Sequence, residues 1–253
     1  MKELKRILSY TRRAVDDYEM INEGDKIAVG VSAGKDSLAL LYALAEMRRF
    51  YPKKYELIAI TIDMGFPNTS FDGIKALCEK LNVEYHVVPT QIYQIIFEER
   101  KEKSPCSLCA KMRRGVLYNT AKELGCNKVA LGHHFDDAIE TFMLNLFFEG
   151  RIGCFSPVTY LSRADLTMIR PMLYMPEKDV RSYAEKAELP IYKAPCPADG
   201  NTQREEMKQL LRDLDRKYKG LKYRVFGAMQ RGEIDGFKEI SKMDGIKAYS
   251  EEE

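Results

Sequence analysis

A loop of small residues near the N-terminus could hold a phosphate group. Residues 30–37 read Gly-Val-Ser-Ala-Gly-Lys-Asp-Ser and overlap the end of an apolar run at 26–31. Small residues let backbone N–H groups approach an anion closely, and the N-terminus of a following helix adds a favourable dipole. The spacing differs from the Walker A pattern, which has four residues between its glycines and Ser or Thr after the lysine. Because the Asp36 carboxylate would repel a phosphate, we expect Mg2+ to bridge the two.

Three cysteines could bind a metal centre. Cys106 and Cys109 have the C-x-x-C spacing that directs two thiolates to one site, and Cys196 lies between two prolines later in the chain. Zinc, iron–sulfur and redox sites all use this spacing, so it leaves those alternatives open. A closed zinc site needs four ligands, and the sequence has no second C-x-x-C or C-x-x-H. Three cysteines would leave one iron of a cubane cluster without a protein ligand. We interpret the others as core thiols: Cys78, Cys126 and Cys154.

A group of histidines and acids follows another apolar run. Residues 132–141 read Gly-His-His-Phe-Asp-Asp-Ala-Ile-Glu-Thr, which brings two of the protein's three histidines together with three acids. Acidic side chains suit the first turn of a helix because they complement its dipole. On residue types alone, this segment fits either a metal or nucleotide site or a capped helix start.

These segments require a sheet to position them. Short apolar runs at 26–31, 55–62, 84–88 and 128–131 indicate buried strands. Helical spacing predicts helices at 3–20, 36–49, 71–81, 177–187, 202–217 and 222–231. Strands that alternate with helices predict an α/β fold, a parallel twisted sheet with helices on both faces and a helical C-terminal appendage. Ligands of such sheets lie outside the carboxyl ends of the strands, where these loops fall.

The chain divides into three expected regions. These are an N-terminal helix over residues 1–22, a nucleotide-binding domain over 23–195 that includes the C-x-x-C segment, and a basic helical extension over 196–253. Prolines punctuate the chain after about residue 150, and we find no internal repeat.

Composition excludes several classes of protein. The 253 residues include 40 Lys and Arg, 38 Asp and Glu and six Cys. No uncharged stretch reaches the roughly 18 residues that a membrane span needs. The first 13 residues are too polar for a secretory signal, and six cysteines do not make a disulfide scaffold of a chain this long. We therefore expect a cytoplasmic protein that does not bind membranes.

Positive charge is concentrated in two segments. Residues 201–231 hold nine Lys and Arg against four acids, and a second basic group flanks the C-x-x-C pair. Such clusters can bind a phosphate backbone, with Tyr218 and Tyr223 available for base stacking. A solvated helix face is the alternative for either segment alone. The candidate RNA-binding residues are Arg113, Arg114, Arg204, Lys208 and Arg212.

The loop at 32–37, Ser-Ala-Gly-Lys-Asp-Ser, resembles the PP-loop of ATP pyrophosphatases, whose pattern is Ser-Gly-Gly-x-Asp-Ser. These enzymes cleave ATP between its α- and β-phosphates, adenylate a substrate and release pyrophosphate. Ala33 stands where the family has glycine. If that position needs a positive φ, alanine costs about 1 kcal/mol there.

The order of motifs over roughly residues 20–215 resembles the tRNA 2-thiocytidine synthetase family. The resemblance rests on Pro105-Cys106-Ser-Leu-Cys109, the later Cys196 and Gly-His-His-x-Asp-Asp. It implies that Cys106, Cys109 and Cys196 bind a 4Fe-4S cluster, and that they act in catalysis with Asp36, which would also bind Mg2+. Family members often have another cysteine where this chain has Asp199, so no role is transferred to Asp199. The residues implied to bind or adjoin ATP are Ser32, Ala33, Gly34, Lys35, Asp36, Ser37, Asp63, Gly132, His133, Asp136 and Asp137.

The resemblance also implies a reaction. Transfer of AMP to the C2 oxygen of a cytidine, at position 32 of tRNA, would create a leaving group that sulfur could replace. Because the base must be unstacked, the anticodon loop is a suitable target. The implied partners are ATP, Mg2+, tRNA, a sulfur donor such as a cysteine desulfurase, and a second copy in a homodimer. Arg170 is a candidate for a phosphate contact or for a structural ion pair.

Two other functions compete with this one. The first is another PP-loop enzyme, making 2-thiouridine or lysidine; familiar 2-thiouridine relatives have paired zinc motifs that are absent here, and lysidine synthesis does not need the cysteines. The second is a non-catalytic nucleotide-binding redox sensor or RNA-binding protein. The acids beside the loop, Asp36, Asp136 and Asp137, argue against a non-catalytic protein.

Overall fold

The computed structural model describes residues 2–67, 69–100, 105–192, 196 and 203–238. The helices are α1 (Lys2–Asp17), α2 (Lys35–Met47), α3 (Asp72–Lys80), α4 (Pro105–Glu123), α5 (Phe135–Phe148), α6 (Glu177–Lys186), α7 (Gln203–Lys217) and α8 (Leu221–Arg231). The strands are β1 (Asp25–Gly30), β2 (Tyr55–Asp63), β3 (Glu84–Pro89), β4 (Lys128–Ala130), β5 (Val158–Leu161) and β6 (Leu166–Ile169). A π-helical turn covers Gln94–Glu99 and a 3-10 turn covers Ile234–Gly236.

Residues 1–134 and 158–199 form one compact unit built on a six-stranded sheet. The strand order is β3-β2-β1-β4-β6-β5; all neighbours pair in parallel except β5, which pairs antiparallel to β6 at the edge. The α/β fold with a mainly parallel sheet is therefore confirmed. The β5–β6 hairpin was not predicted.

Apolar side chains on both faces of the sheet hold this unit together. On one face, Leu117 and Ala121 of α4 pack in a buried cluster with Ala28, Ile58 and Val129 from the strands. Neighbouring strand residues point to the opposite face, where α2 contacts β1 and β2. Helices α1 and α6 pack on α2 in turn. Burial on both faces explains why β1 and β2 are almost continuously apolar.

A buried ion pair lies at the start of β1 and β4. The Nζ atom of Lys128 is 2.7 Å from an Asp25 carboxylate oxygen and donates to the Met20 carbonyl at 2.8 Å. The other carboxylate oxygen of Asp25 accepts a hydrogen bond from Asn127 at 2.8 Å. Because both buried charges have partners, the charges are tolerated inside the fold.

Residues 135–157 and 200–253 form the second compact unit, in which α5, α7 and α8 pack together. Its centre is aromatic: the rings of Phe135 and Phe226 have centroids 4.9 Å apart, and Phe226 and Phe237 meet edge to face at 5.5 Å. The helices predicted at 202–217 and 222–231 are present as α7 and α8. The expected domain boundaries after residues 22 and 195 stay a prediction.

The core-thiol prediction is confirmed for Cys78 and Cys126, which are buried. Burial raises the pKa of Cys78 to about 12 and that of Cys126 to about 11. Cys154 is half-buried, and its Sγ lies 3.4 Å from the Ala138 carbonyl. In the described part of the chain, no helix is both long and apolar enough to span a bilayer.

Candidate active site

The loop at 32–37 joins the carboxyl end of β1 to the N-terminus of α2. Its own hydrogen bonds shape it: the Ser32 N–H donates to Ser37 Oγ at 3.1 Å, and Ser37 Oγ donates to the Gly34 carbonyl at 3.0 Å. Gly34 stands just before the first turn of α2, where unpaired backbone N–H groups and the helix dipole favour an anion. This arrangement fits the phosphate site that the residue types predict.

Ala33 occupies a left-handed backbone conformation. Its φ is +63°, and its side chain is buried. The positive φ that a glycine would adopt freely is therefore present here with alanine, at a cost of about 1 kcal/mol. The Ala33 carbonyl accepts a hydrogen bond from the Tyr192 N–H at 3.0 Å, which anchors the backbone four residues before Cys196 to this loop.

Lys35 lies between two carboxylates. Its Nζ atom is 3.0 Å from Asp36 and 3.2 Å from Glu177 at the start of α6. Burial alone lowers the pKa of Lys35, but the charges and hydrogen bonds of these two carboxylates outweigh burial and raise the pKa above its ordinary value. The lysine is therefore a fixed cation beside the loop, suited to binding phosphate oxygens.

Asp36 meets a histidine as well as the lysine. His134 is buried, and its Nε2 atom lies 3.6 Å from an Asp36 carboxylate oxygen. One such carboxylate suits Mg2+, which usually combines one or two carboxylates with substrate phosphates and water. The residues present therefore fit a magnesium ion at Asp36.

The segment before His134 approaches the loop closely. A Cβ atom added to Gly132 would lie 3.0 Å from the backbone carbon of Asp36 and 3.1 Å from the Ser37 nitrogen. Only glycine allows this approach without moving the start of α2. His133 is held by Arg170, whose Nε is 3.3 Å from the His133 Nδ1. Arg170 is buried and also lies 3.4 Å from the Thr159 hydroxyl, so its contact with phosphate stays a prediction.

One cavity connects the loop with two of the cysteines. It has a volume of about 150 Å3, and its lining includes Ser32, Ala33, Asp63, Cys109, Arg113 and Cys196. Asp63 stands at the end of β2, where its Oδ1 atom accepts the Gly65 N–H at 2.9 Å. Of the loop at 32–37, only Ser32 and Ala33 line this cavity. The predicted catalytic and ATP-binding residues of the same unit that do not line it are Gly34, Lys35, Asp36, Ser37, Cys106, Gly132 and His133.

The three candidate cluster cysteines are free thiols. Cys106 and Cys196 are exposed and Cys109 is half-buried. Burial raises the pKa of Cys109; the Arg113 guanidinium opposes this by its charge and a hydrogen bond, while charge on Cys196 and Cys106 raises the pKa further. Pro195 and Pro197, which flank Cys196, lie outside the described residues.

These thiols fit an iron–sulfur cluster by the chemistry of the donor set. Soft thiolates suit iron–sulfur centres, and a cubane with three protein ligands keeps one iron for a non-protein ligand. Among the described residues, no three His, Cys, Asp or Glu side chains form a group that could hold a single metal ion. A cubane presents a different iron to each thiolate, so its ligands need not converge on one point.

The acids at 136 and 137 belong to the second unit, where basic side chains pair with them. Asp136 is buried and lies 2.6 Å from the Nζ atom of Lys222. Arg204 is 3.8 Å from Asp137 and 3.5 Å from Glu140. Their proximity to ATP stays a prediction, as does the RNA-binding role of Arg204.

The other candidate RNA-binding residues lie on two helices. Arg114 is exposed on α4, one position after the cavity-lining Arg113, and Lys208 and Arg212 are half-buried on α7. Their contacts with RNA stay a prediction.

Sequence reasoning missed three contributors to the site. Glu177 follows Pro176 at the start of a helix, where an acid is expected on dipole grounds alone. Tyr192 contributes its backbone N–H, which no residue type reveals, and it also lines the cavity. Met64 lies with its sulfur 3.9 Å from Cys109 Sγ and looks like an ordinary apolar residue in the sequence.

Comparison with known proteins gives a consistent result. The model of the PP-loop domain family matches residues 6–214. The tRNA-cytidine(32) 2-sulfurtransferase of Geobacter metallireducens is 42% identical over 231 residues, which cover 90% of this chain and 90% of that protein. The protein of the same name from Vibrio vulnificus is 38% identical over 252 residues, covering 96% of this chain and 81% of that protein.

A solved structure is similar as well. The U34-tRNA thiolase NcsA from Methanococcus maripaludis, determined with its 4Fe-4S cluster, aligns with a TM-score of 0.72 and 27% identity over 88% of this chain and 77% of that chain. The family match and the relatives at about 40% identity confirm the resemblance to the tRNA 2-thiocytidine synthetase family. This chain belongs to the PP-loop family and, within it, to the family of the tRNA-cytidine(32) 2-sulfurtransferases.

Proposed function

We propose that this protein is an ATP-dependent tRNA sulfurtransferase that replaces the C2 oxygen of cytidine 32 with sulfur. The observation that carries the proposal is the shared cavity, which is lined by Ser32 and Ala33 from the loop at 32–37 and by two free cysteines, Cys109 and Cys196. An adenylating enzyme without sulfur chemistry has no need of thiols there. A redox sensor has no need of the Lys35 and Asp36 pair.

The loop residues act on ATP. Backbone N–H groups at the start of α2 and the Lys35 ammonium bind phosphate oxygens. Asp36 would hold Mg2+, which when bound would supply positive charge to offset that of pyrophosphate. Asp63 and Ser32 border the space for the rest of the nucleotide. The cytidine C2 oxygen attacks the α-phosphorus, the bond to the β-phosphate oxygen breaks, and pyrophosphate leaves.

The cysteine side of the cavity serves the second step. Cys106, Cys109 and Cys196 would hold a 4Fe-4S cluster, which supplies, when bound, an iron position for the sulfur to be transferred. A sulfur atom at the oxidation level of sulfide forms the new bond at C2. AMP then leaves and carries the former C2 oxygen with it. Arg113 is placed beside Cys109, where its positive charge favours the thiolate.

The proposal includes partners and a location. A tRNA supplies the cytidine, and the basic side chains of α4 and α7 contact its phosphates. A sulfur donor such as a cysteine desulfurase delivers the sulfur, the protein works as a homodimer, and both steps take place in the cytoplasm.

The second candidate function is thiolation of uridine 34. It is favoured by the similarity to the U34-tRNA thiolase of Methanococcus maripaludis, which spans 88% of this chain. The higher identity to the tRNA-cytidine(32) 2-sulfurtransferases favours cytidine 32. Both reactions use the same adenylation chemistry, so the product nucleoside distinguishes them.

The test is incubation of protein purified without oxygen with ATP, Mg2+, sulfide and unmodified tRNA. We expect pyrophosphate release and 2-thiocytidine at position 32, measured by mass spectrometry of tRNA digests. Asp36→Asn should abolish both signals because it removes the carboxylate that binds Mg2+. Cys109→Ala should abolish thiolation, whereas the matched Cys78→Ala, which removes a buried core thiol, should not.

Each other outcome has a defined meaning. Product 2-thiouridine at position 34 would replace the first function by the second. Pyrophosphate release without any thiolated nucleoside would indicate a PP-loop enzyme of other chemistry. Absence of both signals from wild-type protein with an intact cluster would contradict the proposal.

A further inference from the structure

The turn between α7 and α8 carries a dense group of cations. Residues 216–224 read Arg-Lys-Tyr-Lys-Gly-Leu-Lys-Tyr-Arg, with five Lys and Arg and no acid. Four of these cations and one tyrosine line an open concavity of about 580 Å3: Arg216, Lys217, Tyr218, Lys219 and Arg224. We call this set of five residues the basic turn.

Hydrogen bonds fix the backbone of the basic turn. Arg224 donates to the Lys219 carbonyl at 2.9 Å and to the Tyr218 carbonyl at 3.2 Å, so its guanidinium caps the end of α7. Gly220 has a φ of +78°, which allows the chain to reverse into α8. The Lys222 N–H donates to an Asp215 oxygen at 3.2 Å, capping the start of α8. These contacts hold the backbone of the turn in one conformation.

The cations of the basic turn are only partly neutralised. Arg216 lies 3.1 Å from Asp213, which offsets its charge. Within the described part of the chain, Lys217 and Lys219 have no ion-pair partner; Lys217 instead places its Nζ atom 5.2 Å from the centre of the Tyr218 ring. The N-terminus of α8 adds a positive dipole at the same place. The result is a fixed site of positive potential.

The tyrosine supplies a second kind of contact. Tyr218 is 48% exposed, although a large aromatic side chain would normally be buried. Tyr223, in contrast, packs on Phe135 with ring centroids 4.9 Å apart. Of the two tyrosines that the sequence suggests for stacking, only Tyr218 presents a largely open ring.

We propose that the basic turn is a tRNA-binding site, in which Lys217 and Lys219 contact backbone phosphates and an unpaired base stacks on Tyr218. The inference rests on the proposed function for its choice of RNA. A positively charged groove with an exposed aromatic ring is the combination that binds single-stranded nucleic acid. An acidic protein would match the charges but would leave the open ring without a role.

The first experiment removes the charges of Lys217 and Lys219 in the full-length protein. Lys217→Gln/Lys219→Gln should weaken tRNA binding about tenfold, measured by fluorescence anisotropy with unmodified tRNA. The slope of log K against log salt should become shallower by about 1.4–1.8, since each released counterion contributes about 0.7–0.9. The control Lys2→Gln/Lys5→Gln removes the same charge from the exposed start of α1 and should change neither quantity.

The second experiment tests base stacking by substitutions at Tyr218. Tyr218→Ala should weaken binding about tenfold, whereas Tyr218→Phe, which keeps the ring, should stay within about twofold of wild type, because stacking needs only the π-face. Equal losses in both variants would overturn the stacking contact. Unchanged affinity and salt slope in the double lysine variant would overturn the site.

Failure of the inference is distinguishable from failure of the proposed function. Binding is measured without ATP or sulfur, so it tests the basic turn even if no thiolation occurs. If wild type thiolates tRNA, the lysine variant should show a raised KM for tRNA with kcat unchanged. An unchanged KM would overturn the site and leave the sulfurtransferase function in place.

Discussion

At the scale of single residues, the site is defined by how charges are paired. Lys35 is shared between the Asp36 and Glu177 carboxylates, and Asp36 also meets the buried His134. Each contact limits where Lys35 and Asp36 can place their charges before ATP binds. Glu177 therefore acts through Lys35, as a positioning residue for the phosphate site.

Replacing Glu177 tests this role. Glu177→Gln keeps the side chain's shape but removes the charge that holds Lys35, so Lys35 should pair more tightly with Asp36 and compete with Mg2+. We expect kcat/KM for ATP to fall about tenfold, mainly through KM, which is the effect of losing one charged hydrogen bond. Initial rates of tRNA-dependent pyrophosphate release measure both constants.

The control for Glu177→Gln is a substitution at Arg181, which also pairs with Glu177. Arg181 lies 3.4 Å from the same Glu177 oxygen, and its side chain is 53% exposed. Exposed ion pairs contribute little, so Arg181→Gln should remain within about twofold of wild type. Equal effects of the two variants would assign Glu177 a merely structural role.

At the scale of elements, most of the parallel sheet could be predicted and its edge hairpin could not. The runs at 26–31, 55–62 and 84–88 correspond to β1, β2 and β3 within a residue. β1 and β2 are largely apolar because flanking helices bury them, whereas β3 lies at the sheet edge and is only partly buried. The β5–β6 hairpin has strands of only four residues. β5 is only partly buried and its Tyr160 is exposed, so no apolar run marks it, and the apolar run of β6 is as short as the strand itself.

The candidate site likewise combines a feature set by neighbours in sequence with features set by contacts between distant parts of the chain. The loop at 32–37 depends on neighbours in sequence, so the order of its small residues predicts it. The family pattern raises a positive φ at Ala33 only as a condition, and the structure shows it. The cavity depends on residues of β2 and α4 meeting Tyr192 and Cys196 in space, and the spacing of residues along the chain does not encode those distances. The Tyr192 N–H to Ala33 contact is of the same kind.

The approach of Gly132 to α2 gives a prediction at this scale. Gly132→Ala would force a Cβ atom against the Asp36 backbone, so the start of α2 must shift by a few tenths of an ångström. We expect the kcat for pyrophosphate release to fall about tenfold, since small misplacements of reacting groups are costly. Thermal unfolding should show that the variant remains folded.

Gly115 provides the matched control. It lies in the interior of α4, and an added Cβ atom would meet no heavy atom within 4 Å. Gly115→Ala should preserve activity and stabilise the helix by up to about 1 kcal/mol. If Gly132→Ala were as active as Gly115→Ala, the close approach would have no bearing on catalysis.

At the scale of the whole molecule, the chain forms two units that are each discontinuous in sequence. The unit of residues 1–134 and 158–199 holds the loop, the cavity and the cysteines, and the unit of residues 135–157 and 200–253 holds the paired acids and the basic turn. Each unit has its own apolar core. A substitution that disrupts the core of one unit should therefore destabilise mainly that unit.

A core substitution in the second unit tests this expectation. Phe226 is fully buried between Phe135 and Phe237, and Phe226→Ala should cost about 3–5 kcal/mol by leaving a cavity. Hydrogen–deuterium exchange should show faster exchange in peptides from α5, α7 and α8. The control Leu210→Ala removes a side chain that is 40% exposed and should leave exchange unchanged. Normal exchange of α5 in Phe226→Ala would contradict the role of this aromatic centre.

The discontinuous order of the segments has a consequence for synthesis of the protein on the ribosome. α5 ends at Phe148, but α7, which packs on it, begins only at Gln203. At about 5–20 residues per second, the intervening residues take roughly 3–11 seconds to emerge. During that interval the nascent chain has completed its phosphate loop while the aromatic side of α5 is still uncovered. The growing polypeptide should therefore be prone to aggregation in the interval between emergence of α5 and emergence of α7 and α8 from the exit tunnel.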